Sequence, residues 1–144
     1  MQVKDSAILL IEDNPDHAEL IMRLLRGYDN EIQIHHISDG KTALDYLARQ
    51  APFADPHEYP LPRLILLDLR IPKIDGLDVL KQIKRSEALR PIPVVVLSTS
   101  EAEDDIARAC RLYANSYLVK PMDLSAFDNL VEMIWRYWLI WNRH

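Results

Sequence analysis

Short apolar runs recur along the chain, each ending in a polar residue and each followed by a stretch with helical spacing. Ala7–Ile11 (AILLI), Leu64–Leu67 (LILL), residues 94–97 (VVVL) and residues 116–119 (SYLV) read as β-strands. The first has no polar position, as expected of a strand buried on both faces. In residues 31–37, Ile32, Ile34 and His36 alternate with Gln33 and His35, which predicts a half-buried strand with His35 facing out and His36 in. Between the strands, Pro15–Tyr28 carries Ala18, Ile21, Met22, Leu24 and Leu25 at helical spacing, with a proline suited to the first turn. Further helices are predicted through Ala43, Leu44, Leu47 and Ala48 after Gly40, and through Leu77, Leu80 and Ile83. Residues 101–112 open with Glu101, Glu103, Asp104 and Asp105, charges that suit a helix N-terminus, and a last helix is predicted over residues 123–141. Five strands alternating with five helices predict a doubly wound α/β domain built on a parallel sheet.

Residues 51–62 (APFADPHEYPLP) break the alternation. Four of these twelve positions are proline, which predicts a loop or extended insert before the third strand. The chain has 144 residues, the length of one domain. Its net charge of −5 and scattered basic residues argue against a nucleic-acid-binding surface. One cysteine, Cys110, excludes an internal disulfide and fits a reducing compartment. Residues 1–6 are polar and too short for a signal peptide, and no apolar run approaches the ~20 residues of a membrane span. A cytosolic protein with no membrane contact is the expectation.

The chemistry sits at the strand ends. Glu12-Asp13, Asp68, Ser98 and Lys120 each close an apolar run. In a parallel sheet their carboxyl ends share one edge, where open α/β sheets place their ligands. Taken singly, each has an ordinary structural reading. Asp13 or Asn14 suits the cap of the next helix, Asp68 the turn toward Pro72, and Ser98 a helix cap, while a lone lysine is usually solvated. Jointly they can hold a divalent cation, offer a carboxylate nucleophile and neutralise a phosphoryl group. Pro72 and Asp75-Gly76 would hold the loop after the third strand in one shape, and Lys120-Pro121 admits a cis bond that would aim the lysine inward. The other histidine positions (His17, His35, His36, His57, His144) show no ligand spacing, and Cys110 reads as a small packing residue.

Through ILLIEDN, DLRIPKIDG, PVVVLSTS and SYLVKP the chain resembles the receiver domains of two-component response regulators over nearly its whole length. The resemblance implies a doubly wound five-stranded parallel sheet flanked by five helices, in the flavodoxin-like receiver topology. It implies Mg2+ (or Mn2+) held by Glu12, Asp13, Asp68 and the backbone carbonyl of Arg70. Asp68 would accept a phosphoryl group from a sensor histidine kinase, Ser98 and Lys120 would grip the phosphoryl oxygens, and Tyr117 would be the aromatic switch. Phosphorylation would reshape the face of helix four, strand five and helix five for partner binding or dimerisation. Such a protein is a phosphoacceptor rather than an enzyme on other substrates, although it catalyses its own phosphoryl transfer and dephosphorylation. The insert and the lack of an output domain resemble the single-domain regulators paired with bacterial phytochrome kinases.

Two positions depart from the family pattern. Tyr113-Ala114 stands where Gly-Ala is common, so a positive φ there would be strained. Arg70 is a long cation beside Asp68 that would either slow water attack on the acyl phosphate or pair with an acid. The chain's last helix is apolar nearly all round. Trp135, Trp138 and Leu139 supply a packing stripe, and Tyr137, Ile140 and Trp141 are left over, which predicts a homodimer through this helix or a tail folded over the sheet edge. The enzyme alternative is an aspartyl-nucleophile, phosphatase-like hydrolase. It would need a second acid near Asp68, where Arg70 stands instead.

Overall fold

A computed structural model describes residues 7–141. Residues 1–6, read above as a polar stretch, and His144 lie outside the described residues. Five parallel strands, β1 (Ala7–Ile11), β2 (Gln33–Ile37), β3 (Leu64–Leu67), β4 (Val94–Ser98) and β5 (Ser116–Val119), form one sheet in the order β2-β1-β3-β4-β5. Connecting them are α1 (Pro15–Tyr28), α2 (Gly40–Leu47), α3 (Gly76–Arg85), α4 (Glu103–Arg111) and α5 (Leu124–Ile134).

Alternation along each strand divides the core between two faces. Ile8, Leu10, Leu64, Leu66, Val95 and Leu97 meet Ala18, Ile21 and Leu25 of α1 and Phe127, Val131 and Ile134 of α5. Leu9, Ile11, Ile65, Leu67, Val94 and Val96 meet α2, α3 and α4 through Ala43, Leu47, Val79, Leu80, Ile83 and Ala109. Buried on both sides, the central strands need no polar position, which is why β1, β3 and the body of β4 are wholly apolar.

Several boundaries differ from expectation. Residues 31 and 32 stay out of β2 because the Ile32 amide closes a turn onto the Asp29 carbonyl. His35 does not face solvent: its ring packs between Tyr46 of α2 and Tyr59 of the insert. Phe53 completes this aromatic cluster, and the Tyr46 hydroxyl donates to the Pro60 carbonyl. The last helix is not α-helical throughout. Beyond α5 it widens into a π-helix, Trp135–Trp141, in which Leu139 is buried and Trp135 stacks on Tyr28 at 5.5 Å. Cys110 is exposed rather than packed. The cis X-Pro bond among the described residues is Ala51–Pro52, so Lys120–Pro121 is trans.

Candidate functional site

Main-chain hydrogen bonds carry the sheet one step past its strands and so fix the four strand-end groups. The Glu12 amide donates to the Ile37 carbonyl, the Asp68 amide to Ile11, and the Lys120 amide to Ser98, at 2.8–3.0 Å. A ring nitrogen of His36 lies 2.7 Å from the Glu12 carbonyl oxygen. Asn14, not Asp13, caps α1, accepting from the amides of Asp16 and His17. With the cap supplied by its neighbour, the exposed Asp13 carboxylate stands beside Glu12.

The loop after β3 is held from below. The Gly76 amide donates to the Leu69 carbonyl, and a Cβ on Gly76 would come within 2.5 Å of the Asp68 carbonyl oxygen and the Leu69 Cα. Only glycine permits that approach. Lys73, at φ 70°, completes the turn between Pro72 and Asp75, and Asp75 caps α3.

These constraints bring the predicted residues together. One carboxylate oxygen from each of Glu12, Asp13 and Asp68 lies within 4.8 Å of the others. Glu12, Asp68, Ser98 and Lys120 are buried, and Asp13 is exposed. The Lys120 ammonium bonds Glu12 Oε1 closely, Asp68 Oδ2 at 3.4 Å and His17 Nδ1 at 3.0 Å. Burial, reinforced by the Asp68 charge, pushes the Glu12 carboxyl up to about 7, even though the Lys120 hydrogen bond pulls it down. The donor set therefore suits a hard divalent cation: all its ligand atoms are oxygens, and the buried anion it would relieve is one the protein itself disfavours.

Ser98 and Tyr117 are joined to the site through Ser100. The Ser98 hydroxyl accepts from the Ser100 amide at 3.2 Å, and the half-buried Tyr117 hydroxyl donates to the Ser100 carbonyl at 2.9 Å. Arg70 pairs with an acid: its guanidinium bonds Asp105 at the start of α4, and the Ser100 hydroxyl donates to the same Asp105 oxygen. The Ser100 hydroxyl, then Arg70, hold the Asp105 carboxyl below the usual carboxylate range. Sequence reasoning missed His17, Ser100 and Asp105. His17 alone left a trace, one helical turn past the acid pair; Asp105 was read only as part of a helix-start charge run.

A family model described as the response regulator receiver domain matches residues 8–133. The chain belongs to the response regulator receiver family. It is 52% identical over 139 residues to the probable methanogenesis regulatory protein FilR2 of Methanothrix harundinacea, covering 94% of this chain and 85% of FilR2. With the response regulator Rcp1 of Synechocystis it shares 38% identity over 132 residues, 92% of this chain and 88% of Rcp1. The Mn2+-bound form of Rcp1 has a TM-score of 0.88 to this structure at 36% identity, covering 96% and 97% of the two chains. The phosphorylated cyanobacterial phytochrome response regulator RcpA has a TM-score of 0.91 at 38% identity, with 96% of each chain covered. The protein is thus a phosphoacceptor receiver of two-component signalling, and its Glu12, Asp13 and Asp68 cluster fits a divalent cation. Among the described residues, no helix of the receiver is long and apolar enough to cross a membrane.

Proposed function

We propose that Asp68 of this receiver accepts the phosphoryl group, donated by the phosphohistidine of a sensor histidine kinase. The observation that carries the reading is the convergence of the Lys120 ammonium and three carboxylates at the carboxyl edge of the sheet. An Asp68 oxygen attacks phosphorus, the P–N bond to imidazole breaks, and the leaving imidazole takes a proton. Little covalent assistance is needed, so catalysis rests on positioning and charge. Glu12, Asp13, Asp68 and the Arg70 carbonyl would hold Mg2+ or Mn2+, which supplies positive charge against the phosphoryl oxygens. Lys120 adds a second point charge, and the Ser98 hydroxyl turns from the Ser100 amide to donate to a phosphoryl oxygen. Moving Ser98 shifts the segment whose Ser100 carbonyl Tyr117 holds, so Tyr117 turns inward and the face of α4, β5 and α5 changes. Such a two-state element needs a gap of only a few kcal/mol. Water attack on the same acyl phosphate returns the protein to its resting form.

Incubation with Mg2+ and acetyl phosphate, read by intact mass, tests the acceptor. Wild type gains the mass of one phosphoryl group and Asp68→Asn gains none. Equal gain by Asp68→Asn would overturn the assignment.

For the donor, the likeness to Rcp1 and RcpA supports a phytochrome-type kinase. The 52% identity to FilR2 supports a second reading, a regulator of methanogenesis answering a kinase that senses something other than light. Phosphotransfer profiling against the kinases of the source genome separates them by which kinase transfers fastest. The receiver acts in the cytosol and pairs with a second copy through its C-terminal helix, without nucleic acid. Exposed Met133, Tyr137, Ile140 and Trp141 support that pairing, and the net charge of −5 supports the absence of nucleic acid.

A further inference from the structure

We infer that His17 is a positioning residue for phosphoryl transfer, its neutral ring anchoring the Lys120 ammonium at the mouth of the site. The inference rests on Asp68 as the acceptor. A lysine ammonium has three N–H donors and accepts nothing. Here those donors meet Glu12 Oε1, Asp68 Oδ2 and His17 Nδ1. Facing a group that can only donate, Nδ1 must present its lone pair, so the ring proton sits on Nε2. Two of the lysine's partners are carboxylates of the cation cluster. A cation sharing their charge would weaken both holds as Lys120 must reach a phosphoryl oxygen, and would leave its four-carbon stem less restrained. His17 is the partner that this chemistry leaves in place.

The ring is built into position. Asn14 caps the α1 turn that carries His17, accepting from its amide at 3.2 Å, and Pro15 pre-sets that turn. The half-buried ring lines a groove of about 680 Å³ with Leu20, Thr99, Pro121 and Phe127 beside Lys120. Charged groups face it from every side: Lys120 from β5, Asp68 from β3, Asp16 and Asp13 from its own end of α1, and Glu101 across the groove. Burial, then the Lys120 charge, hold the imidazole below its ordinary 6.5 against the pull of Asp68, Asp16 and Asp13.

Two measurements test this. Carbon-13 shifts of ring-labelled His17 at about pH 8, above the ordinary imidazole range, should report the Nε2–H tautomer; the Nδ1–H tautomer would overturn the inference. Phosphorylation by acetyl phosphate at saturating Mg2+ should slow about ten- to a hundredfold in His17→Phe, which keeps a ring but no acceptor. His17→Asn, whose Oδ1 falls near the place of Nδ1, should recover most of the rate, with Mn2+ affinity by calorimetry unchanged in both. Equal rates in wild type and His17→Phe, an equal loss in His17→Asn, or a matching fall in Mn2+ affinity would each overturn the positioning role. A wild-type protein that takes up no phosphoryl group would overturn Asp68 as acceptor instead, and the tautomer would still decide the His17 contact.

Discussion

Tyr113 adopts φ 67° just past the end of α4, and its side chain is 76% exposed. The Ala114 amide returns to the Ala109 carbonyl and the Tyr113 amide to Cys110, the paired bonds of a Schellman ending whose left-handed position favours glycine. Tyr113→Gly should therefore stabilise the protein by about 1 kcal/mol, seen as a higher thermal midpoint. Glu12 gives a pH prediction. The folded, cation-free protein keeps the Glu12 proton up to about 7, whereas an ordinary glutamate releases it near 4.5. Between those values the folded state binds more protons than the unfolded one, so the Glu12 contribution to stability falls as pH rises through the window. Cation binding runs the other way. It needs the carboxylate, so Mn2+ affinity measured by calorimetry should fall as pH drops below about 7, by up to about tenfold per unit. At this scale the strand-end groups were legible because each closes an apolar run. His17 and Asp105 were not, because a hydrogen-bond partner is chosen by side-chain direction in space, which spacing along the chain does not encode.

Between elements, the approach of α3 to the loop after β3 sets the shape of the site. Gly76→Ala forces a methyl group against the backbone of Asp68 and Leu69, which cannot move without disturbing the site. Overpacking of this kind costs about 1–3 kcal/mol. A lower denaturant midpoint together with weaker Mn2+ binding is expected; a loss of stability with unchanged affinity would show that the loop yields without moving Asp68. The alternation of strand and helix was readable because buried parallel strands are apolar throughout while each helix shows one stripe. The fraying of that legibility at residues 31–32 has a local cause, a turn bond that competes with the ladder. The π-helical end of the chain escaped for another reason. Its residues are apolar nearly all round, so no stripe distinguishes one winding from another, and packing of Trp135, Trp138 and Leu139 decides it.

For the molecule as a whole, several large apolar residues stand exposed along the C-terminal segment. Tyr137, Ile140 and Trp141 are exposed, Trp141 by 72%, and Met133, Tyr137 and Trp141 line one shallow groove with Glu132 and Arg136. Tyr137→Glu with Trp141→Glu should turn a dimer into a monomer by sedimentation at tens of micromolar, within the range of modest homodimer affinities; a wild type that sediments only as monomer would refute pairing through this segment. The insert stands apart from both surfaces. It joins the sheet at the start of β3, and the β3 strand, four residues long or about 13 Å, lies between it and Asp68. Phe53 and Tyr59 root it against Tyr46, while His57 is exposed to solvent. That exposed tip is accordingly a natural handle: a dye, an epitope or a tether to a bead mounted at His57 would follow the protein through its signalling cycle from a distance, leaving the reacting atoms untouched.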